Sequence, residues 1–193
     1  GNKYIPLHPT YPASRINTIV DTANIKLIIA GTHEIEGVES YVSVLDYRSI
    51  APVDYLSKEQ LVAYDFSDIV YVLFTSGSTG VPKGVQINYS NLKSFIDNLE
   101  NLNMNLPEKS GYLQMFELTF DLSIVSILLP FMNNGTLYHV SIKSVKYLEI
   151  YRLLEEYPIH FAIIVPSVLS MLRPYFDTIQ LPNLLHVALS GEA

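Results

Sequence analysis

The chain has 193 residues, 49% of them hydrophobic, and a formal net charge of −7. This composition allows a buried core, and the acidic balance argues against a surface for nucleic acid or anionic membranes. The absence of cysteine excludes disulfides, thiolate metal sites and cysteine nucleophiles. We therefore expect a cytoplasmic protein whose partners are small molecules or other proteins.

The first half of the chain alternates short apolar runs with segments of helical period, a pattern typical of α/β proteins. The pattern predicts a helix over 16–23, strands at 26–30, 41–45, 69–74 and 85–87, and then another helix. This last helix is predicted to be capped by Asn88 or Ser90. Its expected inner stripe consists of Leu92, Phe95, Ile96, Leu99 and Leu102.

The second half continues the alternation. Strands are predicted at 111–116, 136–140, 160–165 and 184–189, with helices over 121–131, 145–156 and 167–172. Helical crossovers favour parallel strand pairing, so we expect layered, parallel-rich sheets flanked by helices. We find no internal repeat or linker, and the ends at Gly1 and Ala193 resemble cuts in a longer protein. Residues 1–193 are therefore predicted to be one incomplete domain.

One loop concentrates the polar chemistry of the chain. The stretch Thr75–Gly84 reads TSGSTGVPKG and follows an apolar strand. Its hydroxyls, glycines and lysine supply side-chain donors, open backbone N–H groups and a positive charge, which suit a polyphosphate. The spacing differs from both G-x-x-x-x-G-K-[ST] and G-x-G-x-x-G. A flexible turn is the alternative, but such a turn needs neither Lys83 behind Pro82 nor a strand leading into it.

This loop resembles the signature phosphate loop of the adenylate-forming superfamily. That superfamily includes acyl-CoA and aryl-CoA synthetases, luciferases and the adenylation domains of nonribosomal peptide synthetases. The resemblance implies that the loop binds the phosphates of ATP. The residues that it assigns to this role are Thr75, Ser76, Gly77, Ser78, Thr79, Gly80, Lys83 and Gly84.

Three flanking stretches resemble the amino-acid-activating branch in particular. Lys3–Ile16 (KYIPLHPTYPASRI) is similar to a family segment that usually has Asp where His8 stands here. Leu118–Val140 resembles the Phe-Asp motif with its following helix and strand. Val187–Ala193 (VALSGEA) resembles the strand and turn beside the adenine, which implies adenine-side roles for Gly191, Glu192 and Ala193. The resemblance thus implies part of the large N-terminal subdomain of an amino-acid adenylation domain.

Asp121 follows Phe120 directly before an apolar helix, and two interpretations of it remain open. On physical grounds alone it is equally well a helix N-cap. By resemblance it is the carboxylate that pairs with the α-ammonium group of the substrate, a partner that a buried ammonium requires. The resemblance also implies a side-chain pocket, although ordinary core packing is the simpler explanation of its apolar members. The matching positions are Leu122, Val125, Ile163, Ala188 and Ser190.

The implied reaction joins the carboxylate of a small or medium apolar amino acid to the α-phosphorus of ATP, with Mg²⁺ present. The aminoacyl group then passes to phosphopantetheine on a carrier protein. The family's catalytic Lys belongs to a C-terminal subdomain that this sequence lacks, so the 193 residues alone are expected to be inactive. The alternatives are an acyl- or aryl-CoA synthetase and a non-catalytic remnant of the fold. The five histidines are scattered, which predicts no metal site among protein residues.

Overall fold

A computed structural model describes residues 2–32, 34–52, 63–76, 82–141 and 144–191. The chain divides into two compact units, Gly1–Asn101 and Leu102–Ala193. The boundary falls within an Asn-rich stretch that the sequence did not identify as a linker. Within the described ranges, no helix has the length and apolar character needed to cross a membrane.

The first unit begins with a helix and a pair of parallel strands. Helix α1 spans Ala13–Ala23, and strands β1 (Leu27–Ala30) and β2 (Ser43–Asp46) pair in parallel. The 3.6-residue apolar period of α1 directs one face inward, as predicted. That face forms a small core with the strands and the segment between them, through Ile16, Val20, Ile28 and Val42. A 3₁₀ turn, Tyr47–Ser49, follows β2.

A hairpin and a helix complete this unit. Strands β3 (Ile69–Ser76) and β4 (Pro82–Asn88) pair antiparallel, and helix α2 spans Tyr89–Asn101. These two strands are an antiparallel exception within the parallel-rich fold that the sequence predicts, because a connection of residues 77–81 is too short for a crossover. The predicted cap is confirmed, since Asn88 Oδ1 accepts a hydrogen bond from the Asn91 N–H at 2.9 Å.

The inner stripe predicted for α2 is only partly correct. Leu92, Ile96 and Leu99 are half-buried, whereas Phe95 and Leu102 are exposed. Leu102 lies beyond the end of the helix at Asn101, so the helical period no longer directs its side chain inward. The apolar period of the sequence identified the face of α2 that is partly buried, but it did not predict how far the side chains on that face are buried.

The second unit is a four-stranded parallel sheet with helical connections. Its strands are β5 (Gly111–Gln114), β6 (Thr136–His139), β7 (Ile159–Ile164) and β8 (His186–Leu189), in the order β6-β5-β7-β8. Its helices are α3 (Leu122–Met132), α4 (Lys146–Glu156) and α5 (Pro166–Leu172), followed by a 3₁₀ turn, Arg173–Tyr175. The predicted parallel pairing is confirmed for this sheet.

The crossovers that contain α3 and α4 step in opposite directions along the strand order of this sheet. The chain moves from β5 to β6 through α3 and then returns past β5 to β7 through α4. Because parallel crossovers are right-handed, this reversal puts α3 on one face and α4 with α5 on the other. The contacts agree, since α3 packs on β5 and β6 and α4 packs on α5. The central strands are consequently covered on both faces, and β5 is buried along its whole length.

Candidate functional site

The predicted phosphate loop connects the two strands of the β3–β4 hairpin. Thr75 is the cross-strand partner of Lys83, and Ser76 is the partner of Pro82. The side chains of Thr75 and Lys83 are exposed. The hairpin thus places Thr75, which carries a hydroxyl group, directly opposite Lys83, which carries an ammonium group, at the two ends of the loop. Four predicted phosphate-binding residues, Gly77, Ser78, Thr79 and Gly80, lie outside the described residues.

Gly84 has a packing role that the sequence did not indicate. It lies opposite Phe74 in the hairpin. A Cβ at this position would lie 2.9 Å from Val72 Cγ1 and 3.0 Å from Phe74 Cζ, closer than real Cβ contacts. The absence of a side chain at Gly84 is therefore explained by its neighbours in β3, whether or not its backbone also faces a phosphate.

The strand order of the second unit indicates where a ligand would bind. The connection that leaves β5 runs to β6 on one side, and the connection that leaves β7 runs to β8 on the other side, so β5 and β7 form a topological switch point. In open parallel sheets a crevice opens there, outside the carboxyl ends of the strands. The segments at these ends are 115–121 after β5, Val165 after β7 and 190–191 after β8. Predicted site residues occur in the first and last of these segments.

Asp121 lies in the first of these segments, at the start of α3. Its Oδ1 accepts a hydrogen bond from the N–H of Leu122 at 2.8 Å, and the residue is exposed. The N-cap interpretation is therefore confirmed. This bond occupies one carboxylate oxygen, and a carboxylate has acceptor capacity for more. The cap is compatible with the predicted role in ammonium binding.

The predicted pocket residues belong to two neighbouring groups. Ile163 and Ala188 are direct cross-strand partners in β7 and β8. Leu122 and Val125 are half-buried and lie three residues apart on α3, which places them on one helix face. Ser190 follows β8 and donates its N–H to the carbonyl of Ile164 at 3.3 Å.

The turn after β8 connects these groups. Gly191 has a φ of +96°, a conformation that other residues rarely adopt. A Cβ there would lie 3.1 Å from Val165 Cγ1 and 3.4 Å from Leu122 Cδ1. The turn therefore packs against both the end of β7 and the start of α3. Glu192 and Ala193, predicted with Gly191 on the adenine side, lie outside the described residues.

Two residues near the switch point were not among the site residues predicted from the sequence. Val165 is one, although its place at the end of an apolar run before Pro166 is a detectable signal. Gln114 is the other: it ends β5, is 2% exposed, and its Oε1 accepts a hydrogen bond from the N–H of Phe116 at 3.0 Å. A polar residue inside the apolar run 111–116 was the available signal.

Comparison with known proteins gives a consistent result. The family model of AMP-binding enzymes matches residues 1–193. The chain is 32% identical to a D-alanine–D-alanyl carrier protein ligase of Lactiplantibacillus plantarum, over 100% of this chain and 39% of that protein. It is 31% identical to nonribosomal peptide synthetase 8 of Aspergillus fumigatus, over 100% of this chain and 2% of that protein. The chain therefore spans well under half of these relatives.

Solved structures share the fold. Holo-AB3403, a four-domain nonribosomal peptide synthetase bound to AMP and glycine, has a TM-score of 0.78 and 26% identity, with 99% of this chain and 14% of that chain covered. O-succinylbenzoate coenzyme A synthetase of Bacillus subtilis has a TM-score of 0.76 and 16% identity, with 98% of this chain and 48% of that chain covered. Because the family model matches the whole chain, the chain belongs to the AMP-binding enzymes of the adenylate-forming superfamily and has the fold of their N-terminal subdomain.

Proposed function

We propose that the full-length gene product activates an amino acid with ATP and loads it onto a carrier protein. The substrate carboxylate attacks the α-phosphorus, a new C–O–P bond forms, and the bond from the α-phosphorus to the bridging oxygen breaks. Pyrophosphate leaves with that oxygen and its electron pair. The aminoacyl adenylate then reacts with the thiol of phosphopantetheine on the carrier, and AMP is released. Family membership and the carrier protein ligases among the relatives support this proposal.

The phosphate loop is proposed to hold the β- and γ-phosphates of ATP. Catalysis of this displacement requires alignment and charge stabilisation, and it needs no enzyme nucleophile. Thr75 and Lys83, adjacent across the hairpin, supply a hydroxyl donor and a positive charge for this purpose. Among the described residues, no group of three His, Asp or Glu side chains is arranged to hold a metal ion. We propose that Mg²⁺ enters with the nucleotide substrate as its counterion.

The observation that carries the amino-acid assignment is the position of Asp121. It is an exposed carboxylate at the end of the segment that follows β5, beside the switch point, and its bond to Leu122 occupies one oxygen. An α-ammonium group that loses its water needs such a partner, because an unpaired buried charge costs several kcal/mol. Acyl and aryl acids have no ammonium group, so their activation gives this residue no comparable role.

The remaining pocket residues support a small or medium apolar amino acid. Leu122, Val125 and Ile163 present apolar side chains, and Ala188 and Ser190 are small. Such a lining offers space and apolar contact but no charge to balance a charged side chain. Alanine or a branched aliphatic amino acid fits this description. The relatives that act on D-alanine agree with the size class, and the stereochemistry is a matter for the experiment.

Exchange of labelled pyrophosphate into ATP tests the proposal in the full-length gene product. We expect exchange to depend on one or a few amino acids from a panel that also contains simple carboxylic acids. Exchange supported by acids without an amino group would instead indicate an acyl- or aryl-activating enzyme. No exchange with any acid would favour a non-catalytic member of the fold.

Asp121 offers a matched pair of variants for the same assay. Asp121→Asn retains an oxygen that can accept the Leu122 N–H bond, but it removes the charge. We expect kcat/KM for the amino acid to fall by about 100-fold or more in Asp121→Asn and Asp121→Ala alike. Ser123→Ala is the control, since it removes a hydrogen bond to the carbonyl of Phe120 in the same turn and leaves the charge in place. Retention of activity in Asp121→Asn would show that Asp121 acts only as a helix cap.

A further inference from the structure

Gln114 has an amide group with unsatisfied hydrogen-bonding capacity. The residue is 2% exposed, and its Oε1 accepts a hydrogen bond from the N–H of Phe116 at 3.0 Å. Its Nε2 is buried and has no hydrogen-bond partner within the described part of the chain. Because the bond from Phe116 requires an acceptor, the oxygen is fixed on that side and the NH₂ group faces the other way.

The position of Gln114 is also fixed through its backbone. Its carbonyl accepts a hydrogen bond from the N–H of Val140 at 2.9 Å, and the residue pairs with His139 in β6. On the other side, the register pairs Leu113 with Ala162 in β7. The next position of this register places Gln114 level with Ile163. Strands on both sides therefore hold the amide at the carboxyl edge of the sheet.

Gln114 also shares a face of the sheet with two predicted pocket residues. Side chains at the same level of adjacent parallel strands point to the same face. Gln114 in β5 is level with Ile163 in β7, which is paired with Ala188 in β8. These three residues form one row at the edge that borders the switch-point crevice. We call them the edge row. The donor of Gln114 is thus in line with the residues assigned to the side-chain pocket.

A buried donor of this kind requires an acceptor. Buried polar groups in folded proteins are nearly always hydrogen-bonded, and those left unpaired mark functional positions or bound water. An amide NH₂ group binds oxygen acceptors. An amino acid presents an ammonium group, a side chain and a carboxylate. In the proposed function Asp121 binds the ammonium group, and the edge row contributes to the pocket for the side chain. Neither assignment among the described residues supplies a donor to the carboxylate.

We propose that Gln114 binds the carboxylate of the amino acid substrate through its Nε2. This inference rests on the proposed function and adds a residue to it. The amide donates to the carboxylate oxygen that does not attack the α-phosphorus, and it orients the other oxygen for attack. A neutral donor suits this role, because it fixes the carboxylate without neutralising the negative charge that makes the attacking oxygen nucleophilic. Gln114 and Asp121 thereby hold opposite ends of the same small molecule.

Comparison of the amino acid with its amino alcohol tests this assignment. The amino alcohol retains the ammonium and the side chain but has no carboxylate. In the full-length gene product, KM for the amino acid is measured by pyrophosphate exchange and Ki for the amino alcohol by inhibition of that exchange. In Gln114→Met we expect KM for the amino acid to rise by about 10- to 100-fold, the range for a hydrogen bond to a charged group. KM for ATP should stay nearly unchanged. Ki for the amino alcohol should rise much less than KM for the amino acid, because its neutral hydroxyl accepts a weaker hydrogen bond than a carboxylate does.

Further variants exclude effects on folding. Gln114→Glu retains the oxygen that accepts the Phe116 N–H bond and replaces the donor by a second oxygen, so it should weaken amino acid binding at least as much. Tyr112→Phe removes a buried hydroxyl from the same face of β5 and should leave both constants unchanged. A cooperative thermal unfolding transition shows that each variant is folded. If Gln114→Met does not fold, KM and Ki of Gln114→Glu test the carboxylate assignment instead.

The outcomes separate this inference from the proposed function. Suppose that the unsubstituted protein shows amino-acid-dependent exchange. Equal rises in KM for the amino acid and Ki for the amino alcohol in both Gln114 variants would then overturn the carboxylate assignment alone. Unchanged constants in both variants would do the same. Absence of amino-acid-dependent exchange in the unsubstituted protein would overturn the proposed function, and this inference with it.

Discussion

At the scale of single residues, Gly84 shows how packing and chemistry act on the same position. The resemblance assigns this glycine to phosphate binding, whereas the structure shows that β3 fills the space where a side chain would be. Val72 Cγ1 and Phe74 Cζ lie 2.9 and 3.0 Å from an added Cβ. Phosphate binding and packing against β3 would each explain why position 84 has no side chain. A measurement of the free energy of unfolding isolates the packing contribution.

Gly84→Ala should lower the free energy of unfolding by about 1–3 kcal/mol, because an overpacked site forces its neighbours to move. Urea unfolding measures the change. The double variant Val72→Ala/Gly84→Ala removes the branched side chain that the new methyl group would contact. It should be less destabilised than the sum of the two single variants. Additive losses would mean that the contact with Val72 is not the cause.

The residue-scale predictions from the sequence succeeded where the signal was local. The cap at Asn88 depends only on residue type and on the start of a helical period, and it is confirmed. Asp121 was predicted either to cap α3 or to bind the ammonium group of the substrate. A local sequence pattern does not distinguish these two roles, because the same carboxylate can perform both. Gln114 was missed because its burial depends on the pairing of β5 with β6 and β7, which lie more than 20 residues further along the chain.

At the scale of elements, the apolar period located nearly every helix and strand, but it did not determine strand direction. Val85–Ile87 was correctly predicted as strand, although the strand extends over Pro82–Asn88. Its antiparallel pairing follows from the short connection to β3, a property of length and not of composition. Strand β5 ends at Gln114, before the predicted end at Phe116, because the chain turns there into the segment that carries Asp121.

Helix α4 has an electrostatic feature that makes a prediction at this scale. Arg152 donates from Nε and Nη2 to the two carboxylate oxygens of Glu149, at 3.2 and 2.8 Å, and also pairs with Glu156. The hydrogen bonds from Arg152 lower the pKa of Glu149 below its ordinary value. The folded state therefore binds this proton less readily than the unfolded state does. The stabilisation is complete above the unfolded pKa and disappears as the pH falls through the folded pKa.

Arg152→Met should return the pKa of Glu149 toward the ordinary glutamate value of about 4.3. Carboxylate chemical shifts followed by NMR between about pH 2.5 and pH 6.5 measure the pKa directly. Lys93→Met is the matched control, since it removes the cation of an i, i+4 pair with Asp97 on α2. It should leave the titration of Glu149 unchanged. An unaltered pKa in Arg152→Met would show that Arg152 is not responsible for the shift.

At the scale of the whole molecule, the alternation of strands and helices predicted the fold class correctly. The division at Asn101 and Leu102 was not predicted, because it is defined by contacts between residues distant in sequence. Composition changes little across this boundary, apart from the asparagines near residues 98–105. Asn103, Asn105 and Lys109 have positive φ angles, which are typical of turns, and the segment between α2 and β5 contains no regular element.

We propose that residues 1–193 are an incomplete N-terminal core, and this proposal makes the last prediction. The resemblance implies that a catalytic Lys and a ribose-binding Asp belong to motifs that do not occur in this sequence. Without them, the phosphate loop and Asp121 would bind parts of the substrates but would not stabilise the transition state fully. The isolated 193 residues should therefore show no measurable amino-acid-dependent pyrophosphate exchange, whereas the full-length gene product should show it.

Substrate binding makes this comparison informative. Calorimetric titration of the isolated chain with ATP distinguishes a folded but inactive chain from an unfolded one, because we expect only a folded chain to bind ATP. We expect weak binding of ATP without turnover. The Lys83→Met variant is the control, because it should weaken that binding further by removing the positive charge beside the loop. Robust exchange by the isolated chain would mean that the residues assigned here are sufficient for adenylation, and the predicted dependence on a further subdomain would be wrong.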